Sequence, residues 1–279
     1  MPGWIPGYGW AETEGVGKCT SCLLGILIVW ALAALVGPWL DLRPNQIDLP
    51  AILAPPGPAA WLGHDDLGRP VLDRLLAGAR TSFLASFGVV SLSLLAGGVI
   101  GGLAGYRGGW VDHLVVRLID VFLAFPGILL AIALAGIMGP GLDNLVIALA
   151  AVGWVGYARL TRAQVLSLKS REHVLAARAL GAGTGRILFR HLLPLTLAPL
   201  LVEASFGVAQ VVVAEAGLSF LGLGVQPPQA SWGSMVKEGA GYLLAAPHLV
   251  LAPGIAISLV VLAVNLLGDQ LRDRLDTRS

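Results

Sequence analysis

Glu203 is a carboxylate set inside the apolar run from Leu195 to Leu218, where an ionisable side chain is costly and marks function by default. Either it faces a polar passage and meets a solute amine, or it snorkels from about a third of the way in toward the nearer membrane face. A second carboxylate, Glu215, heads the segment Glu215-Ala216-Gly217-Leu218-Ser219-Phe220-Leu221-Gly222-Leu223-Gly224, and the pair Pro227-Pro228 follows it. So glycine-rich a stretch beside prolines cannot continue as one plain helix, and irregular backbone at membrane depth faces protein or a water-filled cavity. Glu215, Ser219 and Phe220 are therefore expected at an outer mouth. Arg117 stands three residues before Asp120, a spacing that lets the two meet on one helix face and lowers the cost of charge at a membrane boundary. That pair is expected to be a structural lock.

Other constellations exclude more than they suggest. Gly181-Ala182-Gly183-Thr184-Gly185-Arg186 invites a phosphate-cradling role, but the phosphate-loop pattern needs Gly-Lys followed by Ser or Thr after a strand, and neither is present. Cys19 and Cys22 form Cys-Thr-Ser-Cys without the second ligand pair that a zinc site requires, and they read as two plain thiols. His64, His113, His173, His191 and His248 are scattered. With no nucleophile beside a base and no metal-ligand spacing, neither catalysis nor a metal nor a cofactor is expected on this chain.

Composition sets the elements that must hold these residues. Of 279 residues, 56% are hydrophobic and 13% charged, with a mean hydropathy of +0.79, against about 25% charged in a soluble domain. The net charge of +1 carries no basic signal for nucleic acid. A helix crossing the bilayer needs about 20 mostly apolar residues, because lipid offers its backbone no partners. Six runs qualify: Cys22 to Leu40, Phe83 to Gly105, His113 to Met138, Leu142 to Leu160, Leu195 to Leu218 and Leu249 to Gly268. The expected fold class is all-α integral membrane, with six transmembrane helices. The residues before the first run hold a single basic side chain, Lys18, unlike the basic start of a secretory signal, so that run is expected to remain as an anchor. Gly97, Gly101 and Gly105 recur every four residues with Gly98 and Gly102 beside them, which predicts close helix packing.

Lysine and arginine orient the chain. Arg159, Arg162, Lys169, Arg171, Arg178, Arg186 and Arg190 fall between the fourth and fifth runs against the single acid Glu172, which makes that loop cytoplasmic. Six spans then place both termini in the cytoplasm, in agreement with Arg272, Arg274 and Arg278. Arg43, Arg69, Arg74 and Arg80 fall outside, where a long connection obeys the rule less strictly. The organisation reads as a tail over 1–20, a first helix with a long external connection over 21–79, a core over 80–270 containing a loop at 161–194, and a tail over 271–279.

Within that loop, strong helix formers around Glu172 to Leu180 put Val174, Ala177 and Leu180 near one face. Gly181, Gly183 and Gly185 break the helix, a second short helix runs from Arg186 to Leu192, and Pro194 suits the first turn of the fifth span. Such a unit could dock on a partner protein or lie on the membrane surface; an apolar face serves both.

The segment resembles the cytoplasmic motif of ABC import permeases: Glu-Ala-Ala, three residues, Gly, nine residues, Ile-any-Leu-Pro. Ala176, Ala177, Gly181, Leu193 and Pro194 match at the required spacing, Leu175 stands where the motif has Glu, and His191 where it has Ile. The resemblance implies that Leu175, Ala176, Ala177, Arg178, Ala179, Leu180, Gly181 and Ala182 form an ATPase-coupling helix and turn. Arg190-His191-Leu192-Leu193-Pro194 ends the motif and is similar to the peptide branch's Arg-His-Ile-Leu-Pro-Asn, with Leu195 in place of Asn. Further segments resemble the C-type permease of the dipeptide, oligopeptide and nickel importers. They are Leu62-Gly63-His64-Asp65-Asp66-Leu67-Gly68-Arg69, Gly78-Ala79-Arg80, Gly105-Tyr106-Arg107-Gly108-Gly109-Trp110-Val111-Asp112, Leu123-Ala124-Phe125-Pro126, Ser231-Trp232-Gly233 and the tail from Asn265 to Asp276.

The resemblance implies a type I ABC importer permease fold in the inner (plasma) membrane of a prokaryote. It implies a heterodimer with a second related permease, two ATPase subunits that bind ATP and Mg, and an external solute-binding protein, against which Glu215 would help form the outer mouth. A short peptide is the expected cargo, with nickel or another small solute as the alternative. An ion-coupled secondary transporter is the competing class; it would need more membrane-embedded charge than Glu203 and, commonly, inverted repeats.

Overall fold

The computed structural model describes residues 11–58 and 60–276. Residues 1–10 of the expected N-terminal tail, residues 277–279 with Arg278, and the side chain of Cys19 lie outside the described residues. Ten α-helices are described: α1 (Ala11–Val36), α2 (Val71–Arg107), α3 (Gly109–Leu123), α4 (Gly127–Met138), α5 (Leu142–Leu168), α6 (Glu172–Ala179), α7 (Thr184–Ile187), α8 (Leu193–Phe220), α9 (Trp232–Ala240) and α10 (His248–Asp276). Among the described residues there is no β-sheet, only isolated bridges in the α1–α2 connection.

Among the described residues, five helices are long and apolar enough to span a bilayer, or six if α3 and α4 count as one broken span. That break corrects the continuous third span expected from His113 to Met138, since α3 and α4 meet at 86°. Pro126 is the cause: it has no N–H to continue the ladder, and it disfavours helical backbone at Phe125. Its carbonyl instead starts α4 by accepting from the N–H groups of Leu129 and Leu130, at 3.0 and 3.2 Å.

α2 and α5 form the centre of the bundle. Their contact is a glycine stripe: a Cβ on Gly97 would lie 2.5 Å from the Trp154 carbonyl oxygen, one on Gly105 would lie 2.8 Å from that of Arg162, and one on Gly101 would run into that of Ala158. Each four-residue step on α2 meets a four-residue step on α5, so the backbones touch over two turns. In lipid, where burial of apolar area gives no net drive, such contact is what joins helices. Lys169 Nζ fastens the lower end by donating to the Gly105 carbonyl at 3.1 Å.

α8, α10 and α1 surround this pair. Gly268 of α10 approaches Ser205 and Phe206 of α8, and Thr20 Oγ1 donates to Gln270 Oε1 at 2.9 Å, so the first half of α1 runs beside the last turns of α10. α1 buries Leu23, Trp30 and Ala34 and leaves Leu24, Ile28, Val29 and Leu32 bare. Trp30 anchors it, with Nε1 donating to the Ala79 carbonyl and its ring 5.3 Å edge-on from Phe83. α9 closes the end of the bundle where α2 begins. It starts at a capping box of Ser231 and Ser234, and Trp232 Nε1 donates to the Leu75 carbonyl at 3.0 Å.

The stripe is directly testable. Gly101→Val is expected to destabilise the protein by roughly 1–3 kcal/mol through overpacking against backbone. A Cβ on Gly98 meets nothing within 4 Å, so Gly98→Ala is expected to be neutral or mildly stabilising. Thermal unfolding in detergent or nanodiscs separates the two; equal behaviour would mean that the stripe does not hold the helices together.

Candidate functional site

A groove of about 800 Å³ opens between α4, α5 and α8, with α2 and α10 at its back. The bend at Pro126 shapes it, because α4 runs along α5 through Gly127, Ile128 and Ala131. The lining is chiefly apolar, and its polar side chains are Ser93, Tyr157, Glu203, Gln210 and Asn265. A second hollow of about 670 Å³ continues toward the α6 end, lined by Asp120, Arg159 and Arg162 among others. Glu203 and Gly156 line both. This position fits both readings of Glu203, the groove-facing one through the larger chamber and the snorkelling one through the hollow nearer the loop. The sequence reading missed Ser93, Tyr157 and Gln210, although Tyr157 beside Gly153 and Gly156 in an apolar run was a signal of the same kind as Glu203.

The second feature is the loop between α5 and α8. Val174 of α6, Ile187 of α7, and Leu188 and Leu192 of the π-helical turn Leu188–Leu192 are buried with Val165 and Leu168 of α5, and Leu103 and Tyr106 of α2 pack against them. A Cβ on Gly102 would lie 3.2 Å from Leu188 Cδ1, so the glycine-rich helix receives the loop as well as α5. The Arg178 guanidinium lies over the Tyr106 ring, 5.4 Å from its centroid, a cation–π contact. α6 ends in a left-handed turn: Gly181 has φ +80°, its N–H donates to the Arg178 carbonyl, and the Ala182 N–H donates to Ala177.

The expected single apolar face of this loop is divided. Val174 turns inward with Ala177 half-buried, while Leu175, Ala176, Ala179 and Leu180 face outward, Leu180 being 89% exposed. The expected second helix from Arg186 to Leu192 is a one-turn α7 followed by the wider turn into α8. Arg190 is exposed, His191 half-buried, and Pro194 sits in the first turn of α8.

The ion pair expected between Arg117 and Asp120 is not formed; both side chains are exposed, and that pair is not among the salt bridges of the described residues. The lock on this end of α3 is between helices. Arg162 of α5 grips Asp112 with Nε on Oδ1 and Nη2 on Oδ2 at 2.7 Å, a bidentate geometry that ties α3 to α5. A pair three apart on one exposed helix gains little, whereas a pair between helices fixes their crossing.

Glu215 also departs from expectation. It is fully buried, accepting from Ser82 Oγ at 2.9 Å and Ser219 Oγ at 2.8 Å. It joins α8 to α2 inside the bundle and presents nothing to a docking protein. Ser219 is buried beside it, while Phe220 is exposed at the end of α8. Beyond it the backbone does leave the helix, with Gly222 at φ +84°.

At the α9 end, Arg69 and Arg74 explain how basic residues are tolerated there. Arg69 reaches Asp65 at 2.6 Å and Glu238 at 2.9 Å, and Arg74 reaches Glu238 at 2.8 Å. Asp65 in turn accepts from the Leu67 and Arg69 N–H groups. Oxygens of Asp65, Asp66 and Glu238 lie within 4.8 Å of one another, a spacing that could hold a cation, but the two guanidiniums already occupy them. The network clasps the first connection to α9, with Arg74 Nη1 the one buried guanidinium nitrogen left without a partner among the described residues.

Apolar helices around a lateral groove, with a docked loop at one end, define a multi-pass integral membrane protein. The family follows from comparison. Residues 97–279 match the binding-protein-dependent transport system inner membrane component, and the chain belongs to that family of ABC transporter permeases. It is 46% identical over 224 residues to the dipeptide transport system permease protein DppC of Alkalihalophilus pseudofirmus, covering 80% of this chain and 74% of that one. To the nickel transport system permease protein NikC of Escherichia coli it is 42% identical over 254 residues, covering 90% and 92%. The fold is shared with a solved structure described as inward facing conformations of the MetNI methionine ABC transporter, with a TM-score of 0.56 at 20% identity over 73% of this chain and 97% of that one.

Glu215→Ala is expected to cost about 1–3 kcal/mol of stability, because it strands the Ser82 and Ser219 hydroxyls in the interior. Glu215→Gln, which keeps an acceptor, is expected to cost less. Thermal unfolding of the assembled complex measures both, and an unchanged unfolding temperature in Glu215→Ala would contradict the fastening role.

Proposed function

We propose that the chain is the permease subunit of an ATP-driven importer and forms half of a translocation pathway for short peptides. Its partners on this reading are a second related permease, two ATPase subunits that bind ATP and Mg, and a solute-binding protein at the α9 end. The loop end and both termini face the cytoplasm of a prokaryotic cell, and the chain itself hydrolyses nothing. Peptide is favoured over nickel because more of the similar relatives are named as dipeptide or peptide permeases than as nickel permeases.

The observation that carries the reading is the two-sided build of α6 and its turn. One side is sunk among the ends of α2 and α5, so a push on the loop is a push on the helices that back the groove. The other side leaves Leu175 and Leu180 bare to solvent, the kind of apolar anchor a partner's pocket takes up. ATP binding would close the partner ATPases, carry the loop with them and turn the groove outward; hydrolysis would reset it, a two-state change biased by ATP and loaded binding protein.

The test is ATP hydrolysis by the co-purified complex in nanodiscs, with and without loaded binding protein, in wild type and in Leu180→Asp. An exposed position tolerates the change, so the permease is expected to keep its unfolding temperature while binding-protein-stimulated hydrolysis falls by about tenfold or more, the scale of a lost interface anchor. A wild-type preparation in which no ATPase co-purifies and uptake follows an ion gradient would overturn the importer reading.

A further inference from the structure

Three polar side chains of the groove occupy room left by glycines. A Cβ on Gly153 would lie 2.7 Å from Ser93 Oγ, one on Gly156 would lie 3.5 Å from Glu203 Oε1, and one on Gly207 would collide with Tyr157 Oη. Ser93 and Tyr157 are 1% and 5% exposed, yet neither hydroxyl has a hydrogen-bond partner among the described residues. Buried hydroxyls are nearly always partnered, and a passage for purely apolar surface would be cheaper without them.

Charge points the same way. Among the described residues, Glu203 is the one carboxylate around the larger chamber, and no lysine, arginine or histidine lines it. Glu203 also lines the second hollow, so it stands at the neck where one chamber gives onto the other. In that second hollow Arg162 is held by Asp112, and Arg159 and Asp120 line it as well, one further charge of each sign. A carboxylate with low-dielectric walls around it attracts cations more strongly than it would in water. A primary ammonium brings three N–H donors and no acceptor; the Glu203 carboxylate is the charged acceptor on this path, and the two hydroxyls are neutral ones in the same groove.

We infer that Glu203, at the neck between the two chambers, is a transit site for the protonated amine of the solute, with Ser93 and Tyr157 as further acceptors along the adjoining groove. The inference rests on the import reading and adds a selectivity of the permease itself: solutes with a free ammonium pass more readily than those whose amine is masked or replaced by an anion. Among the outcomes that the resemblance left open, it favours amine-bearing cargo.

Charged thiol reagents test the site independently of cargo. In nanodisc complexes carrying Cys19→Ser and Cys22→Ser, Gly156→Cys puts a reporter thiol beside Glu203 at ordinary contact distance. Its rates with 2-aminoethyl and 2-sulfonatoethyl methanethiosulfonate, each normalised to a free thiol, are expected to differ roughly tenfold in favour of the ammonium reagent. Glu203→Gln is expected to bring the ratio near unity, and Glu203→Asp to restore much of it. Equal rates with Glu203 present, a preference that survives Glu203→Gln, or a thiol that neither reagent reaches would overturn the proposal. Binding-protein-stimulated ATP hydrolysis by the same nanodisc complex without the reporter cysteine separates the two levels. Its absence would sink the importer reading, while its presence with equal thiol rates would sink the transit site alone.

Discussion

Backbone contact between α2 and α5 is the constraint on which the other features rest. Gly97, Gly101 and Gly105 allow it, and any side chain at these places meets a carbonyl of α5. The contact fixes the height of α5 against α2, and with it the places of Ser93 and Tyr157 in the groove and of Val165 and Leu168 beneath the loop. Gly102 then seats Leu188. One helix rich in small residues thus sets both the passage and the surface on which the loop is docked, since packing is what associates helices in lipid.

Charges are used at the ends of this frame rather than along it. Arg162 with Asp112 joins α5 to α3, Lys169 joins the end of α5 to α2, and Arg69 and Arg74 tie the first connection to α9 through Asp65 and Glu238. Each of these pairs bridges separate elements, so each holds a relative position that apolar contact alone would leave free to slide. Glu215 does the same in the interior with two hydroxyls. Glu203 is the contrasting acid: it faces a cavity.

Much of this was legible in the sequence. Helix type followed from apolar length, close packing from the four-residue glycine spacing, and the loop's first helix and its turn from Glu172 and Gly181. What the sequence concealed was partner choice in three dimensions. Arg117 and Asp120 are near in sequence and Arg162 and Asp112 are not, yet only the second pair meets, because α3 lies against α5. Glu215 looked like a mouth residue because it heads a glycine-rich exit, whereas the serines that satisfy it come from α2 and from the next turn of α8. Pro126 was visible, but its effect depended on whether neighbouring helices would straighten or accept the bend, which periodicity does not encode.

The central claim is mechanical: the loop and the α2–α5 pair move as one body. Electron–electron double resonance distances between spin labels on cysteines placed at exposed Leu180 and at exposed Leu95 of α2, with Cys19 and Cys22 replaced, test it in the assembled complex. The account predicts the same intrachain distance without nucleotide and with ATP, while the Leu180 to Leu180-equivalent distance across the two permeases changes. An intrachain distance that shifts with ATP, at constant separation of the permeases, would contradict it by showing that the loop hinges on its own.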